Sequence, residues 1–347
     1  MSVINVHNEW DPLEEIIVGI ADGARVPSVD GGLFAIDYAA DLDEPSQVPT
    51  GPYPEQVVEE AGEDLDGLAE LLKSHGVTVR RPDFLDLSRE FGTPDWSSDG
   101  YYNYCPRDVL LPIGNTIIEA PMVLRSRYFD AFSYRRLLLE YFDGGAQWIS
   151  APKPRLPDET YNVRPESGSI LNDLEPIFDA ANVLRVGRDI LYQVSCSGNR
   201  YGMRWLERVL GDEYRMHPVA GVYEGTHLDT TITPVRPGLV VICPERMHED
   251  QVPRIFKNWD VIWCPPMIDS GWHGPFPRGS IWMGMNFIML DPETAVVGED
   301  QLPLIKELGR HGITTAPVRM RHARTLSGGV HCVTADIRRR GTLEDYC

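Results

Sequence analysis

Apolar positions recur along the chain in two rhythms. Val57, Val58, Ala61, Leu65, Leu68, Leu71 and Leu72 repeat at helical spacing and stop at Gly76. The same rhythm predicts helices over Tyr128 to Phe142, ending at Gly144, and over Tyr201 to Leu210, ending at Gly211. A fourth runs from Leu302 through Leu308 towards Gly312. Two helix exits are near copies, Ser74-His75-Gly76-Val77-Thr78-Val79 and Arg310-His311-Gly312-Ile313-Thr314-Thr315. Each predicts a helix capped by glycine and followed by a strand.

The second rhythm is that of strands. Four segments share one plan: a polar residue, an apolar strand, a Gly/Pro/Asn turn and a returning apolar strand. They begin at Asp108, Asp179, Asp229 and Asn286, at intervals of 71, 50 and 57 residues. A fifth unit is split, with Cys332-Val333-Thr334-Ala335-Asp336-Ile337 able to pair with Glu15-Ile16-Ile17-Val18-Gly19. Units that cannot bury their own faces suggest a closed radial array. Pairing the two termini would also remove exposed sheet edges. The expected fold is α/β, one domain over 1–347 of five ββαβ-like modules around an axis. The polar strand heads would converge at its centre. An open α/β sheet with coincidental hairpins is the plainer alternative.

Charge narrows the partners. With 32 Lys+Arg against 52 Asp+Glu, the net charge is −20. That argues against nucleic acid, whose binding needs clustered basic residues, and against an anionic membrane surface. A cationic substrate is compatible with it. The longest strongly apolar stretch, Ile281 to Leu290, is too short for a membrane span. The first residues show no basic region followed by an apolar core, so no secretory signal is expected. Six scattered cysteines, Cys105, Cys196, Cys243, Cys264, Cys332 and the tail residue Cys347, read as reduced thiols in a cytoplasm.

No phosphate loop, dinucleotide fingerprint, nucleophile elbow or metal-ligand spacing is present. The constellation that carries chemistry is Asp108, Asp179, His227, Asp229 and Cys332. A thiolate attacks an electron-poor carbon, and a histidine can protonate a leaving amine and deprotonate an incoming one. Carboxylates have the geometry to grip a guanidinium. The set suits cleavage of a C–N bond in arginine. Each residue also has an ordinary reading: a small buried thiol, a hydrogen-bonded core histidine, and aspartates that cap turns.

Longer motifs add a resemblance. His7-Asn8-Glu9-Trp10-Asp11-Pro12, Pro106-Arg107-Asp108, Ile118-Glu119-Ala120-Pro121-Met122 and Ala151-Pro152-Lys153-Pro154 resemble the amidinotransferase family. So do Phe178-Asp179-Ala180-Ala181-Asn182, Thr226-His227-Leu228-Asp229, Gly328-Gly329-Val330-His331-Cys332 and the tail Arg338 to Glu344. The similarity runs in order over the whole chain. It implies a five-module propeller of the pentein type, likewise a ring. It implies Cys332 as nucleophile, His227 as general acid and base with Asp179 as partner, and Asp108 and Asp229 as holders of the guanidinium. Arg246 and Ser280 match groups at the donor's α-carboxylate end, with no metal or organic cofactor. Gly279 stands where the glycine enzyme has a serine, and Thr226 where it has a methionine.

The implied reaction is ping-pong transfer from L-arginine to an amine through an amidino-cysteine. Acceptor signals conflict. Tyr104 to Asp108 is closer to the inosamine-phosphate enzyme, and the Arg338 to Tyr346 tail to the glycine enzyme. Lysine is scarce, with Lys73, Lys153, Lys257 and Lys306 its only occurrences. That composition points to a high-GC genome and suits an actinobacterial antibiotic pathway with an inosamine phosphate as acceptor. Glycine, lysine or another small amine stays open as acceptor. So do an arginine deiminase-like hydrolase and a non-catalytic binding module. A homodimer is expected.

Overall fold

The computed structural model describes residues 3–166, 168–274 and 279–346; Cys347 lies outside them. Five three-stranded sheets carry the fold among the described residues. In each, a first strand runs antiparallel to a second, and the second runs parallel to a third. Module two comprises Leu110–Ile113, Thr116–Glu119 and Gln147–Ser150. Module three comprises Val183–Val186, Asp189–Val194 and Arg215–Ala220. Module four comprises Ile232–Arg236, Leu239–Ile242 and Asp260–Trp263. Module five comprises Ile288–Asp291, Thr294–Gly298 and Thr314–Val318. Module one joins the chain ends: Thr334–Arg339 pairs antiparallel with Leu13–Val18, which runs parallel to Thr78–Arg80. The four expected hairpins and the expected pairing of the chain ends form, and the single open sheet is excluded.

Parallel neighbours need a crossover, and a helix supplies it in four modules. These are Glu55–Ser74, Arg135–Asp143, Arg200–Leu210 and Leu302–Arg310. The first buries Val57, Ala61, Leu65, Leu68 and Leu72, the stripe expected from the sequence. The glycine exits also form, with Gly76 at φ 81° and Gly312 at φ 76°, where a side chain would be strained. Two expectations fail. The crossover of module four has no α-helix, only 3₁₀ turns at Glu249–Gln251 and Arg254–Phe256. Pro244 and Pro253 interrupt that short segment and remove the N–H groups a helix would use. The helix expected from Tyr128 begins only at Arg135, after 3₁₀ turns at Arg125–Arg127 and Asp130–Tyr134. There the side chains of Asp130 and Ser133 are buried and bonded to Arg127 and Asn103, at 2.8 and 2.7 Å. Those contacts outweigh the helical rhythm.

The first strands of the modules are laced together by buried guanidinium groups. Arg185 of module three pairs with Glu9 at 2.8 Å and Asp336 of module one at 3.2 Å, and donates to the Pro112 carbonyl of module two. Arg107, just before module two, donates to the carbonyls of His331 and Thr334 and pairs with Asp336. Arg339 of module one pairs with Asp336 at 2.7 Å and donates to the Met289 carbonyl of module five. Burial alone would push the carboxyls of Glu9 and Asp336 up; the adjoining arginines hold both well below the usual range. The N-terminal segment crosses the far ends of the modules. Val6 exchanges backbone bonds with Gly114, and the His7 carbonyl accepts from Gly187.

Removing one partner of such a buried pair leaves a charge without compensation, at about 3–5 kcal/mol. Arg185→Ala should therefore lower Tm by roughly 4–7 °C. Arg340→Ala, which removes an exposed pair with Glu14 at 3.1 Å, should leave stability within about 0.5 kcal/mol. Differential scanning calorimetry of the two variants checks this contrast.

Candidate active site

Each module presents a polar residue just ahead of its first strand, and all five meet. The chain turns sharply there: Asp108 sits in the one-turn helix Pro106–Val109, and Asp179 precedes the 3₁₀ turn Ala180–Asn182. Asp229 lies in the turn before Ile232. Asn286, the head of module five, follows a 3₁₀ turn at Ile281–Met285. Its side chain accepts from the Cys332 backbone at 2.9 Å and donates to the Cys332 Sγ at 3.2 Å. The close approach needs Gly329, since a Cβ there would fall 2.7 Å from the Asn286 Cβ.

His227 joins modules two and three. Its Nε2 lies 3.1 Å from Asp179 Oδ2, and its Nδ1 lies 3.5 Å from Asp108 Oδ1. The backbone is held at φ 63°, a region costly for a residue with a Cβ. The Ser197 hydroxyl accepts from its N–H at 3.2 Å. Asp179 is fixed in turn by the Val123 N–H at 3.0 Å, next to Met122 at φ 66°. Strain of this kind gathers where the surroundings over-determine a geometry, as they do at functional sites.

On the other side, Asp229 Oδ2 lies 3.2 Å from Cys332 Sγ and 2.7 Å from His331 Nδ1. One atom each of His227, Asp229 and Cys332 lies within 4.8 Å of the other two. This is a nitrogen, oxygen and sulfur set that could hold a metal ion, or could exchange protons around a nucleophile.

The electrostatics are set by burial against charge. Burial would lower the His227 pKa, but the Asp108 charge and the Asp179 bond raise it to about 9. Burial raises the Asp108 carboxyl, against the pull of His227 and Arg127. Burial acts likewise on Asp229, but the bond and charge of His331 and the charge of His227 hold it well below its usual value. The Cys332 thiol is pushed far up, first by burial and then by the charge of Asp229. Asp108 Oδ1 and Asp229 Oδ1 are buried without a hydrogen-bond partner.

Of the candidate residues, Cys332, His227, Asp179, Asp108 and Asp229 come together. Arg246 stands one residue away. Its Nη1 donates to the Thr230 carbonyl at 2.9 Å, and its guanidinium lies 3.7 Å from the Tyr223 ring centroid. Ser280 caps the Ile281–Met285 turn, accepting from the Trp282 N–H at 3.2 Å. At Gly279 a Cβ would fall 2.8 Å from the Arg324 carbonyl oxygen, so no serine fits without movement there.

No protein-family model matches the chain. It is 52% identical over 346 residues to inosamine-phosphate amidinotransferase 1 of Streptomyces glaucescens, covering 100% of this chain and 99% of the relative. The chain belongs to the amidinotransferase family. The solved structure of an inosamine-phosphate amidinotransferase from Streptomyces griseus superposes on this amidinotransferase with a TM-score of 0.98. Identity is 50%, and 100% of this chain and 99% of that one are covered. The mitochondrial glycine amidinotransferase of Gallus gallus is 39% identical over 357 residues, 98% of this chain and 84% of the relative. The implied enzyme class and five-module fold are thus borne out.

Sequence reading missed several residues of this amidinotransferase site. Asn286 was visible as the fourth strand head, yet its neutral side chain drew no chemical role. Arg127 pairs with Asp108 at 2.7 Å and Asp130 at 2.8 Å, and nothing in its local pattern reveals that. His331 was visible only as the neighbour of Cys332.

If Asp108 sustains the charge on His227, Asp108→Asn should shift the His227 titration downward from about 9. NMR titration of histidine-labelled protein measures it. A histidine raised above its unfolded pKa near 6.5 stabilises fully below that pH, and the gain is lost through about 9. Over that window the wild type should therefore lose more stability than Asp108→Asn.

Proposed function

We propose that this amidinotransferase carries the amidino group of L-arginine to an inosamine phosphate through an amidino-cysteine on Cys332. One observation supports the donor above others. Beside a thiol and a histidine, buried Asp229 Oδ1 has no hydrogen-bond partner and buried Asp108 Oδ1 has only the long 3.5 Å contact to His227 Nδ1. A guanidinium is a planar cation with several N–H donors and fits that need.

The residues take the following roles. Asp108 and Asp229 hold the guanidinium, with Asp179 completing the negative wall and orienting His227. Arrival of the cation offsets the carboxylates that keep the thiol protonated and so favours the thiolate, the thiol proton passing to solvent as arginine binds. Cys332 Sγ bonds to the guanidinium carbon. His227 gives a proton to the bridging nitrogen, the C–N bond breaks, and ornithine leaves. Neutral His227 then takes a proton from the acceptor amine, whose nitrogen bonds to the amidino carbon as the C–S bond breaks. Arg246 and Ser280 are assigned to the donor's α-carboxylate end. Burial of the site shields the intermediate from water.

The inosamine-phosphate acceptor rests on the 52% identity to a relative of that name, against 39% to a glycine enzyme. The reading includes a role in antibiotic biosynthesis and a cytoplasmic homodimer. The five described cysteines are free and buried, which suits a reducing compartment. Among the described residues no helix is long and apolar enough to cross a membrane. The homodimer rests on family resemblance.

Mixing the enzyme with L-arginine labelled in the guanidino carbon, without acceptor, should release about one ornithine per site in a burst. Peptide mapping should place the label on Cys332, and an inosamine phosphate should discharge it faster than glycine or lysine. Steady citrulline formation would instead mark a hydrolase, and no product or label would leave a binding module. Cys332→Ala should fold with a loss of about 1–2 kcal/mol and transfer nothing.

A further inference from the structure

The nucleophile's carboxylate is held from behind by a residue with no assigned part in the reaction. His331 is buried, and both its ring nitrogens face carboxylates: Nδ1 lies 2.7 Å from Asp229 Oδ2, and Nε2 lies 3.4 Å from Glu9 Oε2. Glu9 in turn receives the Arg185 guanidinium and backbone N–H. A continuous path therefore runs from Cys332 Sγ through Asp229 and His331 to the arginine-laced axis. Along it, Asp229 spends Oδ2 on His331 and the thiol and keeps Oδ1 without a donor. Partial rotation of the carboxylate would turn both oxygens away from these positions; the 2.7 Å bond to a buried ring opposes it.

We propose that His331 is the positioning residue of the active site: it locks Asp229 so that one oxygen serves the thiol while the other stays free for the guanidinium. This rests on the arginine-binding reading above. Its donation also makes Asp229 a weaker acceptor, so the Cys332 proton is less tightly held. The second contact, to Glu9, sets the ring's orientation, as outer partners do for ligating histidines.

Two substitutions separate the contacts. In His331→Asn the amide nitrogen takes the place of Nδ1 and keeps the bond to Asp229. In His331→Gln it takes the place of Nε2 and keeps only the bond to Glu9. His331→Asn should stay within about tenfold of wild type in kcat/KM, whereas His331→Gln should lose about 10- to 100-fold, the usual effect of a lost charge-assisted bond. The KM for arginine should rise in His331→Gln.

The rate of Cys332 alkylation by iodoacetamide against pH needs no arginine. Asp229, Asp108, Cys105 and His227 also act on the thiol, and Asp229, Glu9 and Arg107 surround His331. All are common to both variants, so the comparison cancels them. The alkylation midpoint should move up in His331→Gln and stay near wild type in His331→Asn. A purely structural role would give equal losses, or a greater loss in His331→Asn, and either overturns the proposal. Should His331→Gln not fold, a 100-fold loss in folded His331→Asn also overturns it. A wild type that takes no arginine label but shows the expected alkylation order would sink the substrate reading and leave the positioning role standing.

Discussion

The structure hangs on charges buried where charges are expensive. Glu9 and Asp336 lie in the interior with Arg107, Arg185 and Arg339 around them, and each arginine reaches across a module boundary. Such a cluster gives little net stability, because desolvation consumes most of the Coulombic gain. Its effect is geometric. A guanidinium has donors in a fixed fork, so it accepts only one mutual placement of the carboxylates and carbonyls it bridges. Four of the five sheets, modules one, two, three and five, are thereby set in register around a common centre.

The active site inherits that register. Its five strand heads come from five modules, so small rotations of any module would separate Cys332 from Asp229 or His227 from Asp179. The axis fixes them in two ways. Arg107 holds the carbonyls of His331 and Thr334 on either side of Cys332 and Val333. His331 then links Asp229 to Glu9. The resting site is dominated by negative charge and burial, with a thiol disfavoured as thiolate and a histidine favoured as imidazolium. On the proposed function, a cationic substrate would reverse that balance on arrival and so tie the reactivity of Cys332 to occupancy.

The hairpins were legible because each alternates an apolar strand with a strong turn and is complete within about fifteen residues. The helix over Glu55–Ser74 was legible for the same reason, since one buried stripe decides it. Tyr128 to Tyr134 was misread because Asp130 and Ser133 turn inward to Arg127 and Asn103, and those partners lie elsewhere in space or are themselves polar. The crossover of module four carries no helical stripe in the sequence, and with Pro253 in it the general ββαβ plan gives way to 3₁₀ turns there.

The sequence by itself determined the local units, the five polar strand heads and, through long motifs, the family, and it singled out Cys332 as the candidate nucleophile. Local hydrogen bonding and hydrophobic periodicity act over a few residues and leave a readable pattern. Only the tertiary structure decided how the heads share their bonds. Asn286 serves Cys332 from 46 positions away, His331 reaches Asp229 across 102 and Glu9 across 322, and Arg127 joins Asp108 to Asp130. The bonds of Asn286 and His331 depend on distance and angle between separate modules, those of Arg127 on how one module folds back on itself, and a one-dimensional pattern carries neither.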